Sequence, residues 1–99
     1  MSVYALAQLR VYDRERYGSY MARFMPVLEK YNGQLLAADE APRVLEGAWW
    51  DRNKVVLMEF ADAAAFRAWA TSPEYTEIAE DRKAGADAVV LLIKGVAGA

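Results

Sequence analysis

The segment 54–75, KVVLMEFADAAAFRAWATSPEY, constrains the fold of this chain more than any other stretch. A short apolar run predicts a strand over residues 54–61, and the helical pattern that follows Asp62 predicts a helix. Asp is a favoured N-cap, while Ser72 followed by Pro73 favours a new helix start. The segment therefore predicts a strand and then a helix that pauses at residues 71–72 and restarts.

A second strand-to-helix transition lies near the N-terminus. Residues 3–12 alternate with the period of a strand, with apolar side chains on one side at Val3, Ala5, Ala7, Leu9 and Val11. Asp13 is the predicted N-cap of a helix that runs to about residue 32. Pro26 lies inside this helix and removes a backbone donor, so we expect a kink or a restart there.

The remaining elements complete two similar halves. Asn32 and Gly33 provide the left-handed turn that commonly ends a helix, and residues 34–38 are predicted to form a short strand. Residues 39–53 are predicted to be a connection with some strand character. Gly85 ends the second helical region, residues 88–94 form an almost wholly apolar fourth strand, and residues 95–99 are predicted to be a loose tail.

The predicted order is β-α-β-β-α-β, and 99 residues suffice for one domain spanning residues 1–99. This order indicates an α+β fold of the ferredoxin-like type, with a four-stranded antiparallel sheet and the helices on one face. Aligning Asp13 with Asp62 places Val56, Met58 and Phe60 under the helices. Val55, Leu57 and Glu59 then lie on the open face.

The open face is predicted to be unusually apolar for a surface in contact with water. It carries Tyr4, Leu6, Val55 and Leu57, with further aliphatic side chains from the fourth strand. A second copy of the same sheet, packed face to face around a twofold axis, would cover it. We therefore expect the chain to pair with itself.

Composition excludes several classes of function. The formal charge is −2 with no basic face, which argues against nucleic acid as a partner. The chain has no cysteine and no histidine, so disulfides, Ser-His-Asp triads, His-ligated haem and ordinary zinc sites each lack a necessary part. No cofactor motif is present, and with no apolar run long enough to cross a membrane and no signal-peptide pattern we expect a cytoplasmic protein.

Several short segments resemble a known family. They include residues 30–33 (KYNG), 44–47 (VLEG), 56–60 (VLMEF) and 68–75 (AWATSPEY), with Arg82 following. In these positions the chain is similar to family 1330 of the domains of unknown function, within the dimeric α+β-barrel superfamily. The resemblance implies a homodimer whose two sheets form a barrel, with one small-molecule pocket in each subunit.

The superfamily also suggests possible activities. Its members include cofactor-independent monooxygenases acting on aromatic substrates, lactone isomerases and haem-binding proteins, and the absence of histidine argues against the last group. Glu59 is the candidate catalytic residue, because a carboxylate in an apolar strand needs a partner or a raised pKa that suits general base work. The alternative is a structural ion pair or a solvent-facing acid.

Five further residues are candidates for substrate binding: Glu46, Arg82, Tyr20, Tyr75 and Trp69. Arg82 could anchor an anionic group, although helix C-termini favour cations for structural reasons as well. Glu46 could line the pocket or form a salt bridge with Arg82 or Arg10. The tyrosines and Trp69 have inward positions that suit core packing too, and the adjacent residues Trp49 and Trp50 suit a lid or a dimer contact.

Three hypotheses about the function follow from these residues and from the resemblance. The first is a small-molecule-binding homodimer of no assigned reaction, with an apolar pocket between sheet and helices edged by Glu46, Glu59 and Arg82. The second is a cofactor-independent monooxygenase or isomerase acting on a small aromatic or lactone substrate, with Glu59 as the general base. The third is a dimerisation module without a pocket.

Overall fold

The structure, a computed structural model, describes residues 1–96. Its elements are β1 (Val3–Val11), α1 (Arg14–Lys30), β2 (Gln34–Asp39), β3 (Lys54–Phe60), α2 (Ala63–Ala70), α3 (Pro73–Gly85) and β4 (Ala86–Lys94). The last three residues of the predicted loose tail, 97–99, lie outside the described residues. The order of elements is the predicted one, with the second helical region divided into α2 and α3.

The four strands form one antiparallel sheet in the order β2-β3-β1-β4. Val3 of β1 lies opposite Phe60 on one side and Lys94 on the other, so the two central strands and β4 are paired along nearly their full length. The pairing of β2 with β3 shifts register between Leu35 and Ala37. This is the ferredoxin-like α+β arrangement, and the predicted fold class is confirmed.

Alternation along the strands determines which side chains enter the core. The odd-numbered residues of β1 from Val3 to Leu9 are buried, as are the even-numbered residues of β3 from Lys54 to Phe60. They pack beneath α1, α2 and α3, whose buried side chains include Tyr17, Tyr20, Phe24, Leu28, Trp69 and Ile78. The face assignment made from aligning the two aspartates is therefore confirmed.

All three helices begin with the predicted side-chain caps. The Asp13 carboxylate accepts a hydrogen bond from the backbone N–H of Arg16 at 3.1 Å, and Asp62 accepts one from Ala65 at 2.8 Å. Ser72 Oγ accepts one from Tyr75 N at 3.0 Å, with Pro73 in the first helical position. Each cap satisfies a backbone donor that the first turn leaves without a partner.

Of the two alternatives predicted for Pro26, the helix restart is wrong and the kink stays a prediction; the strand character predicted for the connection before β3 is also wrong. Helix α1 does not restart at Pro26 but continues to Lys30, because Tyr20, Phe24 and Leu28 hold one face against the sheet on both sides of the proline. Residues 40–53, all of which the structure describes, contain no strand. Positive φ angles at Gly47 (86°) and Asp51 (62°) interrupt the extended backbone that a strand would need.

Charged pairs join α1 to α3, which run antiparallel. Asp81 accepts hydrogen bonds from Arg16 Nε and Arg23 Nη2, each at 2.9 Å. At the opposite end, Glu74 pairs with Lys30 and accepts a hydrogen bond from the Tyr31 hydroxyl at 3.0 Å. These contacts hold the two long helices side by side over the sheet.

Candidate functional site

A cavity of about 290 Å³ lies between the helix-facing side of the sheet and the helices. Its wall is mainly apolar, with methionine, leucine, valine and alanine side chains from the sheet below and aromatic side chains from the helices above. The polar or aromatic residues of the wall are Tyr17, Tyr20, Phe24, Phe66, Trp69, Tyr75, Thr76, Arg82 and Lys83. Among residues 1–96, no carboxylate side chain lines this cavity.

Two buried donors in the cavity wall have no hydrogen-bond partner in the described part of the chain. Trp69 Nε1 and Arg82 Nε are both shielded from solvent and both unpaired there. Buried polar groups in folded proteins are nearly always hydrogen-bonded, and an unsatisfied donor costs free energy. Within residues 1–96, Arg82 also forms no ion pair with a carboxylate, whereas Arg16 and Arg23 on the neighbouring helix both do.

Tyr20 and Tyr75 meet across the cavity. Their hydroxyl oxygens are 3.0 Å apart and share a hydrogen bond, and the rings pack edge to face with centroids 6.1 Å apart. Burial is the main reason that the pKa of Tyr20 is raised, with Tyr75 adding to the effect. Burial also raises the pKa of Tyr17 to about 12, while the positive charge of Arg82 acts in the opposite direction.

Trp69 is held by the aromatic side chains around it. Its ring centroid lies 4.1 Å from that of Tyr75, 5.3 Å from Phe60 and 6.2 Å from Phe24. The Ser72 hydroxyl donates to the Trp69 carbonyl at 2.8 Å while accepting from Tyr75 N. The Ser72-Pro73 break thus brings Trp69, near the end of α2, beside Tyr75 in the first turn of α3.

The six predicted site residues, the candidate catalytic residue Glu59 and the five binding candidates, fall into two groups. Arg82, Tyr20, Tyr75 and Trp69 all line the cavity. Glu59 is partly buried on the open face, opposite Tyr4 and Gln34, and Glu46 is exposed in the connection before β3.

The predicted pocket, edged by Glu46, Glu59 and Arg82 together, is therefore absent from the described residues: of these three, only Arg82 lines the cavity. Glu59 alternates with Met58 and Phe60, so its side chain leaves the opposite side of the sheet from the cavity. The catalytic role of Glu59 and the binding role of Glu46 stay predictions.

The predicted contact of Glu46 with an arginine is also absent within the described residues. Arg10 instead pairs with Asp87, at 2.6 Å, and with Asp51, at 3.5 Å. The two carboxylates raise the pKa of Arg10, the hydrogen bond to Asp87 being the larger cause. The salt-bridge alternative for Glu46 is therefore wrong.

The tryptophan pair lies away from the cavity. Trp49 Nε1 donates to Gln8 Oε1 on the open face at 3.0 Å, and Trp50 is 79% exposed. Neither residue lines the cavity, so the structure does not place them as a lid over it. A role for them in a dimer contact stays a prediction.

Two residues near the cavity are not identified as site residues by the sequence patterns. Tyr17 belongs to the helical apolar pattern of α1, which does not distinguish it from core residues, yet it lines the cavity wall. Lys54 opens the strand pattern of β3, yet it is 7% exposed and lies under α1. The alternation that buries Val56 and Met58 extends back to Lys54, and this signal could have found it.

Two observations concern other kinds of site. Residues 1–96 contain no group of three or more Asp, Glu, His or Cys side chains placed to hold a metal ion. None of the helices in that part of the chain is both long and apolar enough to cross a membrane.

Fold and site together define a ferredoxin-like α+β domain with an apolar cavity under its helices. The sequence matches the family described as Domain of unknown function (DUF1330) over residues 2–96. Because this match spans nearly the whole chain, the protein belongs to the DUF1330 family, and the predicted family is confirmed. No protein with curated annotation matches the sequence.

Solved structures share the fold at low sequence identity. A protein of unknown function from Rhodopseudomonas palustris is 22% identical with a TM-score of 0.79, covering 96% of this chain and 82% of its own. A dimeric ferredoxin-like protein of unknown function from Jannaschia sp. is 19% identical with a TM-score of 0.77, covering 96% of this chain and 100% of its own. SnoaB, a cofactor-independent oxygenase from Streptomyces nogalater, is 17% identical with a TM-score of 0.71, covering 96% and 93%.

Proposed function

We propose that this protein is a homodimer that binds a small, flat, largely apolar molecule in the cavity of each subunit. The observation that carries the proposal is the pair of unpartnered buried donors, Trp69 Nε1 and Arg82 Nε, in an otherwise apolar wall. Ligand oxygen atoms placed to accept from each of them would satisfy both donors. The proposed ligand is therefore an aromatic molecule carrying a phenol, enol or carbonyl oxygen.

The surroundings of the two donors support a ligand of this chemistry. Trp69 and Tyr75 offer aromatic surface, and aromatic pairs add to the free energy of simple area burial. Arg82 has no carboxylate partner within residues 1–96, so its positive charge is available to stabilise a partly or fully ionised oxygen. Small-molecule sites commonly combine such an apolar wall with a few polar groups that fix orientation.

The homodimer is proposed from the open face of the sheet. On β4, Val89, Leu91 and Ile93 point to this face with 42%, 46% and 41% of their surface exposed, next to partly buried Leu6 and Leu57. A face of this kind is stabilised when a second copy removes it from water. The Jannaschia protein of the same fold is described as dimeric, which supports the same assembly here.

Calorimetric titration with 2-naphthol tests the ligand proposal. We expect saturable binding to the wild-type protein and binding at least about tenfold weaker in Arg82→Met, because that variant keeps an unbranched chain as far as the position of Nε but removes the donors. Arg67→Met is the matched control, since Arg67 is an exposed arginine of α2 that does not line the cavity. Equal affinity in all three proteins would contradict the assignment of Arg82.

A cavity-filling variant tests whether the cavity is a ligand-binding site or only an imperfectly packed part of the core. Ala79 is 5% exposed and faces the cavity from α3, so Ala79→Leu places extra volume inside it. We expect this variant to lose 2-naphthol binding while its unfolding temperature stays level or rises, because filling an empty space is stabilising. Unchanged binding would place the ligand elsewhere.

An enzymatic alternative is supported by the fold shared with the Streptomyces oxygenase. In this proposal the protein is a cofactor-independent monooxygenase or isomerase, and Glu59 removes a proton from an aromatic or lactone substrate. Because Glu59 lies on the open face, the reaction would take place inside the barrel formed by two sheets. Glu59→Gln should abolish turnover and leave 2-naphthol binding in the other cavity intact; turnover at the wild-type rate would exclude Glu59 as the base.

A further inference from the structure

Lys54 is a buried cation for which the described part of the chain provides no carboxylate at ion-pair distance. It is the first residue of β3 and is 7% exposed. Its Nζ lies 5.0 Å from the centre of the Tyr17 ring, close enough for a cation–π contact. Buried charges in proteins are normally paired, so a lysine in this position indicates a missing anion.

A second, smaller pocket surrounds Lys54. Its volume is about 190 Å³, and its wall comprises Val11, Arg14, Tyr17, Gly18, Met21, Glu40, Asn53 and Lys54. The Asn53 side chain is already engaged, because its Oδ1 accepts from Val11 N at 2.8 Å and its Nδ2 donates to the Val11 carbonyl at 2.9 Å. The formal charges of Arg14, Lys54 and Glu40 leave one net positive charge in the wall.

This polar pocket adjoins the large cavity. Tyr17 and Met21 line both spaces, so they form the wall between them. Met21 is unbranched and partly buried, and methionine side chains adapt to irregular spaces more readily than other apolar residues. A ligand longer than a single ring could therefore pass Met21 and reach Lys54.

We propose that the ligand of the large cavity carries a carboxylate at its far end, which lies in the polar pocket and binds Lys54. This inference rests on the proposed function, because the aromatic part of the ligand occupies the cavity described above. One net positive charge matches a monoanion, which favours a carboxylate over a phosphate dianion. The protein would thus recognise an aromatic hydroxy or keto acid by an oxygen at one end and a carboxylate at the other.

Three probes of one shape test the inference by calorimetric titration. They are 2-naphthol, 6-hydroxy-2-naphthoic acid and 6-hydroxy-2-naphthamide, which share the ring and hydroxyl and differ at the far end. We expect the acid to bind about tenfold more tightly than the amide, because a hydrogen bond to a charged group is the stronger one. Lys54→Met should reduce the affinity for the acid to that of the amide and leave 2-naphthol binding unchanged.

Two further variants keep the result interpretable. Lys54→Arg should restore most of the preference for the acid, and Lys94→Met, at an exposed lysine outside both spaces, should retain it in full. If 2-naphthol binds but the acid and the amide bind equally in the wild-type protein, the inference about Lys54 is wrong and the proposed function stands. If none of the three probes binds, the proposed function itself fails.

Discussion

Trp69 and Arg82 show how a residue that weakens the fold can indicate a function. A donor buried without a partner costs free energy, and an apolar side chain of similar shape would avoid this cost. Both unpartnered donors of this kind in residues 1–96 line the same cavity. Their common location suggests that a ligand, and not the protein itself, supplies the acceptor.

The buried tyrosines make stability depend on pH in the alkaline range. The pKa of Tyr17 is raised to about 12 in the folded protein, above the value near 10 of an exposed tyrosine. A raised folded-state pKa means that the stabilisation is complete below pH 10 and is lost as the pH rises towards 12. From Tyr17 we expect a loss on the order of 2 kcal/mol over this interval.

Urea unfolding at several pH values checks this prediction. Tyr17→Phe should lose stability less steeply between pH 10 and 12 than the wild-type protein does, because the variant has no proton to lose at this position. Tyr12→Phe serves as the control, since Tyr12 is 56% exposed. Identical slopes for Tyr17→Phe and the wild-type protein would show that Tyr17 ionises at an ordinary pH.

At the scale of elements, two glycines allow the helices and strands to approach closely. A Cβ at Gly33 would lie 2.4 Å from Leu28 Cδ1 and 2.7 Å from Phe60 Cε1. A Cβ at Gly85 would lie 2.8 Å from both Asp13 O and Tyr17 N, where the end of α3 meets the start of α1. We expect Gly33→Ala and Gly85→Ala each to lower the free energy of unfolding by about 1–3 kcal/mol.

Gly18 is the matched control for these substitutions. It lies within α1, and within 4 Å a Cβ added there would meet no atom of the described chain other than the helix backbone around it and its chain neighbours. Gly18→Ala should therefore raise stability by about 0.5–1 kcal/mol through its helix propensity. Thermal and denaturant unfolding measure all three variants. A stabilising effect at Gly85 would contradict the close contact between α1 and α3.

The sequence is most informative where a short-range rule decides the structure. Caps at Asp13, Asp62 and Ser72 and the alternation of β1 and β3 follow from local patterns, and the structure confirms them. The connection before β3 is harder to predict, because Gly47 and Asp51 adopt positive φ angles that residues of these types take up in only some contexts.

Four of the six candidate site residues lie at the cavity, because helix periodicity identifies inward positions. The separation of Glu59 from Arg82 follows from strand alternation, which places Glu59 on the open face. The pocket predicted from sequence joins residues from two sides of one sheet. The unpaired state of Trp69 Nε1 and Arg82 Nε could not be predicted, because it depends on every neighbour in three dimensions.

At the scale of the whole molecule, adjacent residues of β4 offer a direct test of the dimer. Leu91 lies on the open face with 46% of its surface exposed, and Leu92 lies on the helix side with 44% exposed. Leu91→Glu should dissociate the dimer in sedimentation experiments at micromolar concentration, because it introduces a charge into the proposed interface. Leu92→Glu should stay dimeric; dissociation by both variants, or a monomeric wild-type protein, would contradict face-to-face pairing.

If a ligand oxygen accepts hydrogen bonds inside the cavity, as we propose, the indole N–H of Trp69 reports on it directly. The chain has 3 tryptophans, so a ¹⁵N-labelled sample gives few indole signals, and Trp49→Phe and Trp50→Phe assign them. On titration with 2-naphthol, we expect a saturable downfield shift of the Trp69 Nε1–H signal and little change in the signal of the exposed Trp50. Saturable binding that leaves the Trp69 signal unmoved would contradict a hydrogen bond from Trp69 to the ligand.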